Sequence, residues 1–94
     1  MEVGLVDDQE GSAYIAETED GDYVGEIRYT LRPSYVDVWH TEVDDRWAGQ
    51  GMAGKMTKLV LDEIQKRNLK VYPRCPFMAG YIEKHTEYKE LVYN

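Results

Sequence analysis

Six residues near the middle of the chain, Gly49-Gln50-Gly51-Met52-Ala53-Gly54, have the makings of an anion cradle. Glycines at 49 and 51 let backbone amides approach a bulky pyrophosphate where a Cβ would intrude. A helix starting directly after them adds unpaired N–H groups and the positive end of its dipole. Gly54, one turn in, costs that helix about 1 kcal/mol relative to alanine. Tolerating the cost suggests a close approach, either by ligand or by the neighbouring strand. Lys55 and Lys58 could reach a phosphate from the next turns, although such lysines usually serve only to solvate a helix face. The run lacks the Gly-Lys-Ser/Thr ending of a Walker loop, and no βαβ unit precedes it as a dinucleotide site requires. A tight strand-to-helix turn would use the same glycines.

Two further side chains could do chemistry. Pro76 favours the first position of a helix, which sets Cys75 near the N-cap, where the helix terminus favours the thiolate. Cys75 then suits a nucleophile or acyl carrier, and equally a small buried hydrophobe. His40 stands in Trp39-His40-Thr41-Glu42-Val43, just before the glycine loop. An imidazole there could take a proton from an ammonium group, or simply hold a structural hydrogen bond. His85 reads as a solvated helix-end residue. Trp39, Trp47 and the eight tyrosines read first as packing, with Trp47 the one placed to cover a ligand.

The elements that must position these residues follow from periodicity. Ser12 to Glu17 has β-type composition, and Asp20-Gly21-Asp22 turns the chain. Tyr23 to Leu31 alternates, with Tyr23, Ile27, Tyr29 and Leu31 on one face. After Arg32-Pro33-Ser34, Tyr35 to Val43 alternates again. Regular alternation would place Val36, Val38 and His40 on one face, and Tyr35, Asp37, Trp39 and Thr41 on the other. The period becomes helical from Met52 to Lys66, along Ala53, Met56, Val60 and Ile64 with Leu59 beside them. A strand, Leu69 to Pro73, and a helix, Pro76 to His85, complete a mixed α+β chain of order β-β-β-α-β-α, with Tyr88 to Tyr93 docking as an apolar tail. The first ten residues are polar and expected to be loosely held.

Composition bounds the rest. Ninety-four residues, 43% of them hydrophobic, make one domain with one core. One cysteine excludes an intrachain disulfide framework. No signal peptide is visible at the N-terminus, and no run approaches the roughly 20 apolar residues of a membrane span, so a cytoplasmic setting is the expectation. A net charge of -7 argues against nucleic acid as a partner and is compatible with a cationic substrate such as an amine, though it also simply confers solubility.

The segment Val43 to Lys55 resembles the acetyl-CoA loop of the GNAT acetyltransferase superfamily, written Gln/Arg-x-x-Gly-x-Gly/Ala, with Ala48, Gly51 and Ala53 at the marked positions. Ala48 departs from the usual Gln or Arg, leaving the backbone cradle but not that side chain. Asn68 to Phe77 and Tyr81 to Tyr88 extend the resemblance to short, stand-alone GNAT-like proteins, from Gly25 to Val92. It implies a GNAT-like fold and acetyl-CoA as cosubstrate without a metal. Its CoA contacts would come from Val43, Ala48, Gly49, Gln50, Gly51, Met52, Ala53, Gly54 and Lys55. Cys75 and His40 would carry catalysis, and the acetyl would pass to an unidentified small-molecule or protein amine, directly or through a cysteine thioester. A non-catalytic acyl-CoA-binding module is the competing expectation. Larger members use a tyrosine to protonate the leaving thiolate. Here that position falls on Ile82, while Tyr81, one residue early, is expected to point elsewhere. A monomer or weak homodimer is expected, since the aromatic tail permits a dimer.

Overall fold

The computed structural model describes residues 2–93. Strands β1 (Val3–Asp8), β2 (Ala13–Thr18), β3 (Tyr23–Leu31) and β4 (Tyr35–Val43) form an antiparallel meander. Helix α1 (Met52–Lys66), strand β5 (Lys70–Pro73) and helix α2 (Pro76–Lys84) follow, then a 3-10 segment, Thr86–Leu91. The sheet order is β1-β2-β3-β4-β5, with β5 parallel to β4. The α+β class and the α1 bounds match the sequence expectation. The element order differs at the N-terminus, where residues expected to be loose supply β1. Leu5 lies opposite Ala16 in the ladder and packs on the core, so a polar-looking segment is held by pairing and by one buried row.

Both helices pack on one face of the sheet. The row Leu5, Ala16, Gly25, Val43 and the row Tyr14, Ile27, Thr41 run across that face. The opposite face carries Val6, Ile15, Glu26 and Glu42 in one row, and Ala13, Arg28 and His40 in the next. On α1 the buried stripe is Met52, Met56, Thr57, Val60, Leu61 and Ile64. It leans toward Thr57 and Leu61 rather than Leu59 because the C-terminal segments lie on that side. The Tyr88 hydroxyl donates to Asp62 Oδ1 at 2.7 Å, and Lys58 Nζ donates to Asp62 Oδ2 at 2.9 Å. The tail docks as expected through Tyr88 and Leu91, both buried.

The alternation expected for β4 fails at its centre. Arg28 pairs with His40 and Tyr29 with Val38, so Trp39 is an extra residue and the strand bulges there. Val36 and Val38 stay on the helix face. Beyond the bulge His40 moves to the open face with Asp37, and Thr41 moves to the helix face. This corrects the sequence reading of which side chains share a side.

Gly25 is where β3 must accept both β4 and α1. A Cβ there would stand 2.3 Å from the Glu42 carbonyl oxygen and 3.0 Å from Met56 Cε. Gly80, inside α2, has nothing within 4 Å of that position. Gly25→Ala should lower the unfolding free energy measured by urea denaturation by about 1–3 kcal/mol or more, whereas Gly80→Ala should raise it by about 0.5–1 kcal/mol. Equal responses from the two would contradict this account of the packing.

Candidate functional site

The glycine loop is tied to the sheet before it reaches α1. The Asp44 amide donates to the Val24 carbonyl at 2.8 Å, and the Asp44 carboxylate accepts from the Arg46 amide at 3.0 Å. A 3-10 turn, Asp45–Trp47, follows. The Trp47 indole N–H donates to the Tyr23 carbonyl at 3.1 Å. Trp47 therefore anchors the loop to the sheet. Gly49 and Gly51 then take φ values of +76° and +73°, in the left-handed region that glycine enters without strain.

Gly51 is the N-cap of α1, and with no side chain it caps nothing. The Lys55 amide donates to the Gly51 carbonyl at 3.2 Å. The amides of Met52, Ala53 and Gly54 make no hydrogen bond among the described residues. Three orphan donors at the positive end of a 15-residue helix are the physical basis of an anion site. Ala48, Gly49, Gln50 and Gly51 are exposed, so the approach is open. Lys55 is exposed on the same turn, while Lys58 is engaged with Asp62.

The neighbour of Gly54 is Tyr81 on α2, not a strand. A Cβ at Gly54 would stand 3.9 Å from Tyr81 Cε2, an ordinary contact. The protein's own packing thus leaves room for alanine there. Tyr81, expected to point away from the loop, lies against its helix, while Ile82 is buried in the core. The Tyr81 ring stacks on His85 at 3.9 Å between centroids, and His85 Nδ1 lies 2.9 Å from the Tyr81 carbonyl. Burial pushes the Tyr81 phenol above its usual range; Lys58 opposes this, and Glu87 and Asp62 add to it. The phenol is a protonated donor at neutral pH. A reading of α2 as a plain amphipathic helix misses Tyr81 because its place beside α1 is set by the packing of the two helices.

Cys75 is the N-cap of α2, as expected, and is buried. Its side chain makes no capping bond and instead meets Thr41 Oγ1 at 3.3 Å. Its amide donates to the Val38 carbonyl at 2.9 Å, the last tie between β4 and the β5 side. Ladder pairing with β5 stops at Val38, so the edge of β4 from Trp39 to Val43 is free of strand partners among the described residues. Arg74 points to the other face, where its Nε and Nη2 donate to the two oxygens of Asp37 at 3.1 and 2.5 Å. Its charge is spent on Asp37 and not on the thiol.

His40 lies on the open face, with Nε2 3.2 Å from Glu42 Oε1 and its ring beside Trp39. The structure does not bring His40 and Cys75 onto one face. They flank the free edge of β4 from opposite sides. Thr41, which regular alternation placed on the face opposite Val36 and Val38, is the side chain that meets the thiol, because the bulge turns it to the helix face.

A family model described as GCN5-related N-acetyl-transferase matches residues 13–91. The chain belongs to that family. Its members use acetyl-CoA as cosubstrate. Protein NATD1 of Gallus gallus and of Mus musculus is similar at 34% identity over 50 residues, 53% of this chain and 46% of each relative. The matched segment therefore spans under half the length of those relatives. A GCN5-like protein from Staphylococcus aureus solved by NMR aligns with a TM-score of 0.69 at 23% identity, over 99% of this chain and 88% of that one. That likeness establishes the shared fold.

Gly54 separates packing from ligand binding. Gly54→Ala should raise stability by about 0.5–1 kcal/mol, the ordinary helix-propensity gain. If a pyrophosphate sits on the first turn, the same change should weaken CoA binding about tenfold, measured by titration calorimetry. Unchanged affinity would remove Gly54 from the cradle.

Proposed function

We propose that this protein transfers an acetyl group from acetyl-CoA to an amine. The CoA pyrophosphate lies on the Met52, Ala53 and Gly54 amides, with Val43, Ala48, Gly49, Gln50, Gly51 and Lys55 completing the contact surface. The observation that carries the reading is the conjunction of those three unpaired amides with the free edge of β4. A pantetheine arm has amides of its own, and the N–H and C=O groups of an unpaired strand edge match them. The thioester then sits at the edge, between the faces that carry His40 and Cys75.

Two routes lead from there. In the direct route His40, oriented by Glu42, takes a proton from the acceptor ammonium. The freed amine attacks the thioester carbonyl, and the carbon–sulfur bond breaks. In the covalent route the Cys75 thiolate attacks first, CoA leaves as its thiolate, and the amine then displaces Cys75 from the acetyl group. In both, Tyr81 is the donor for the departing CoA thiolate. The opposite placement of His40 and Cys75 supports roles in separate steps rather than a cysteine–histidine dyad.

A non-catalytic acyl-CoA-binding module is the second reading. It is favoured by the open sheet face, which no helix of the described residues covers, so that an acceptor has little wall to bind against. Calorimetry with CoA and acetylation of an amine panel separate the two readings. Under the covalent route, Cys75→Ala should leave CoA affinity within about twofold and abolish the acetyl-enzyme seen by mass spectrometry. His40→Ala should slow transfer about 10²–10⁴-fold, the usual range for losing a general base. CoA binding with no transfer to any amine would favour the binding module, and no CoA binding would sink both.

A further inference from the structure

We propose that Thr41 is a positioning residue for Cys75: its hydroxyl donates to the sulfur and holds the thiolate toward the free edge of β4. The inference rests on the reading of Cys75 as the acetyl-accepting group, and it adds the residue that prepares it. Thr41 Oγ1 and Cys75 Sγ are 3.3 Å apart, well inside the range for a hydroxyl and a sulfur. Among the described residues this is the thiol's one polar side-chain partner. The N-cap position alone does not engage the thiol, since no capping bond from the side chain to α2 forms.

The charged groups nearby are turned away. Asp37 and Arg74 satisfy each other on the open face. His40 and Glu42 also lie on that face, paired together. On the helix face Cys75 belongs to the apolar cluster that includes Val38, Met78 and Ile82. A thiolate in such surroundings needs a donor, because an ionised sulfur among apolar side chains is strongly disfavoured. Thr41 supplies one, and the bulge at Trp39 is what delivers it. In an unbulged strand Thr41 would face away from α2 and His40 would take its side.

The backbone fixes the direction of the bond. Cys75 is held by its amide on the Val38 carbonyl and by its carbonyl on the Ala79 amide. Thr41 is held three residues further along the same strand, opposite Ile27. Neither group depends on the other for its place, so losing the hydroxyl removes the bond without moving the backbone.

The test follows the Cys75 13Cβ resonance through a pH titration of the whole protein, which reports thiolate formation without a reagent having to reach the buried sulfur. Thr41→Val keeps the shape and removes the donor, and its titration midpoint should rise by about one pH unit or more. Thr41→Ser keeps the donor and should titrate like the parent. Thr41→Ala, which makes no demand on packing, should behave as valine does. Acetyl-enzyme formation at pH 7 should fall at least tenfold in the valine variant, with CoA affinity unchanged. A valine variant with the parent midpoint, or a serine variant shifted as far as valine, would overturn the proposal. Failure of the Cys75 reading looks different: Cys75→Ala would then transfer acetyl at the full rate while Thr41→Val still moved the midpoint.

Discussion

Strand β4 is paired on both sides only as far as Val38, and much of the site depends on that limit. Up to that residue β3 and β5 satisfy both edges, the Asp37 carboxylate is buried against Arg74, and Cys75 makes the last tie to the Val38 carbonyl. One residue later the bulge turns the strand over, and β5 gives way to α2. The bulge puts His40 on one face and Thr41 on the other, beside the edge that the end of β5 leaves free. Breaking the Asp37–Arg74 pair would leave a buried carboxylate uncompensated, which is costly even though Arg74 itself is largely exposed. The pair therefore secures the point at which the strands part.

The loop before α1 shows a second economy. A serine or aspartate at the N-cap would stabilise the helix by bonding its first amides. Gly51 does not, and the left-handed backbone at 49 and 51 turns the chain tightly into the helix. The helix is held instead by its apolar stripe, by Asp62 to Tyr88, and by Arg67, whose guanidinium reaches Glu63 and Asp7. Stability comes from the far end and the buried face, which leaves the N-terminal amides unspent.

The sheet separates the two candidate catalytic side chains, and the family's chemistry is compatible with that separation. An acetyl donor lying along an open strand edge can be approached from either face. The helix face near Cys75 is apolar and closed. The face with His40, Glu42 and Trp39 is open to solvent. A donor on the closed side and an acceptor on the open side would keep water from the thioester while leaving the amine free to enter.

The α+β class, the bounds of α1, Cys75 at a helix N-cap, and the glycine loop with its family resemblance were all legible from residue order. Those features are local: hydrophobic period, proline and glycine chemistry, and a contiguous motif carry them. Tertiary structure alone decided that Val3–Asp8 is a strand, because its pairing partner lies across a turn. It alone decided which side of β4 each residue takes, since a bulge is set by the pairing with β3 and by nothing in the alternation of Tyr35 to Val43. The same holds for Tyr81, which lies against the loop helix at Gly54 because the fold packs α2 beside α1 there. Thr41 against Cys75 joins residues 34 positions apart, and the register that brings them together is a property of the assembled sheet.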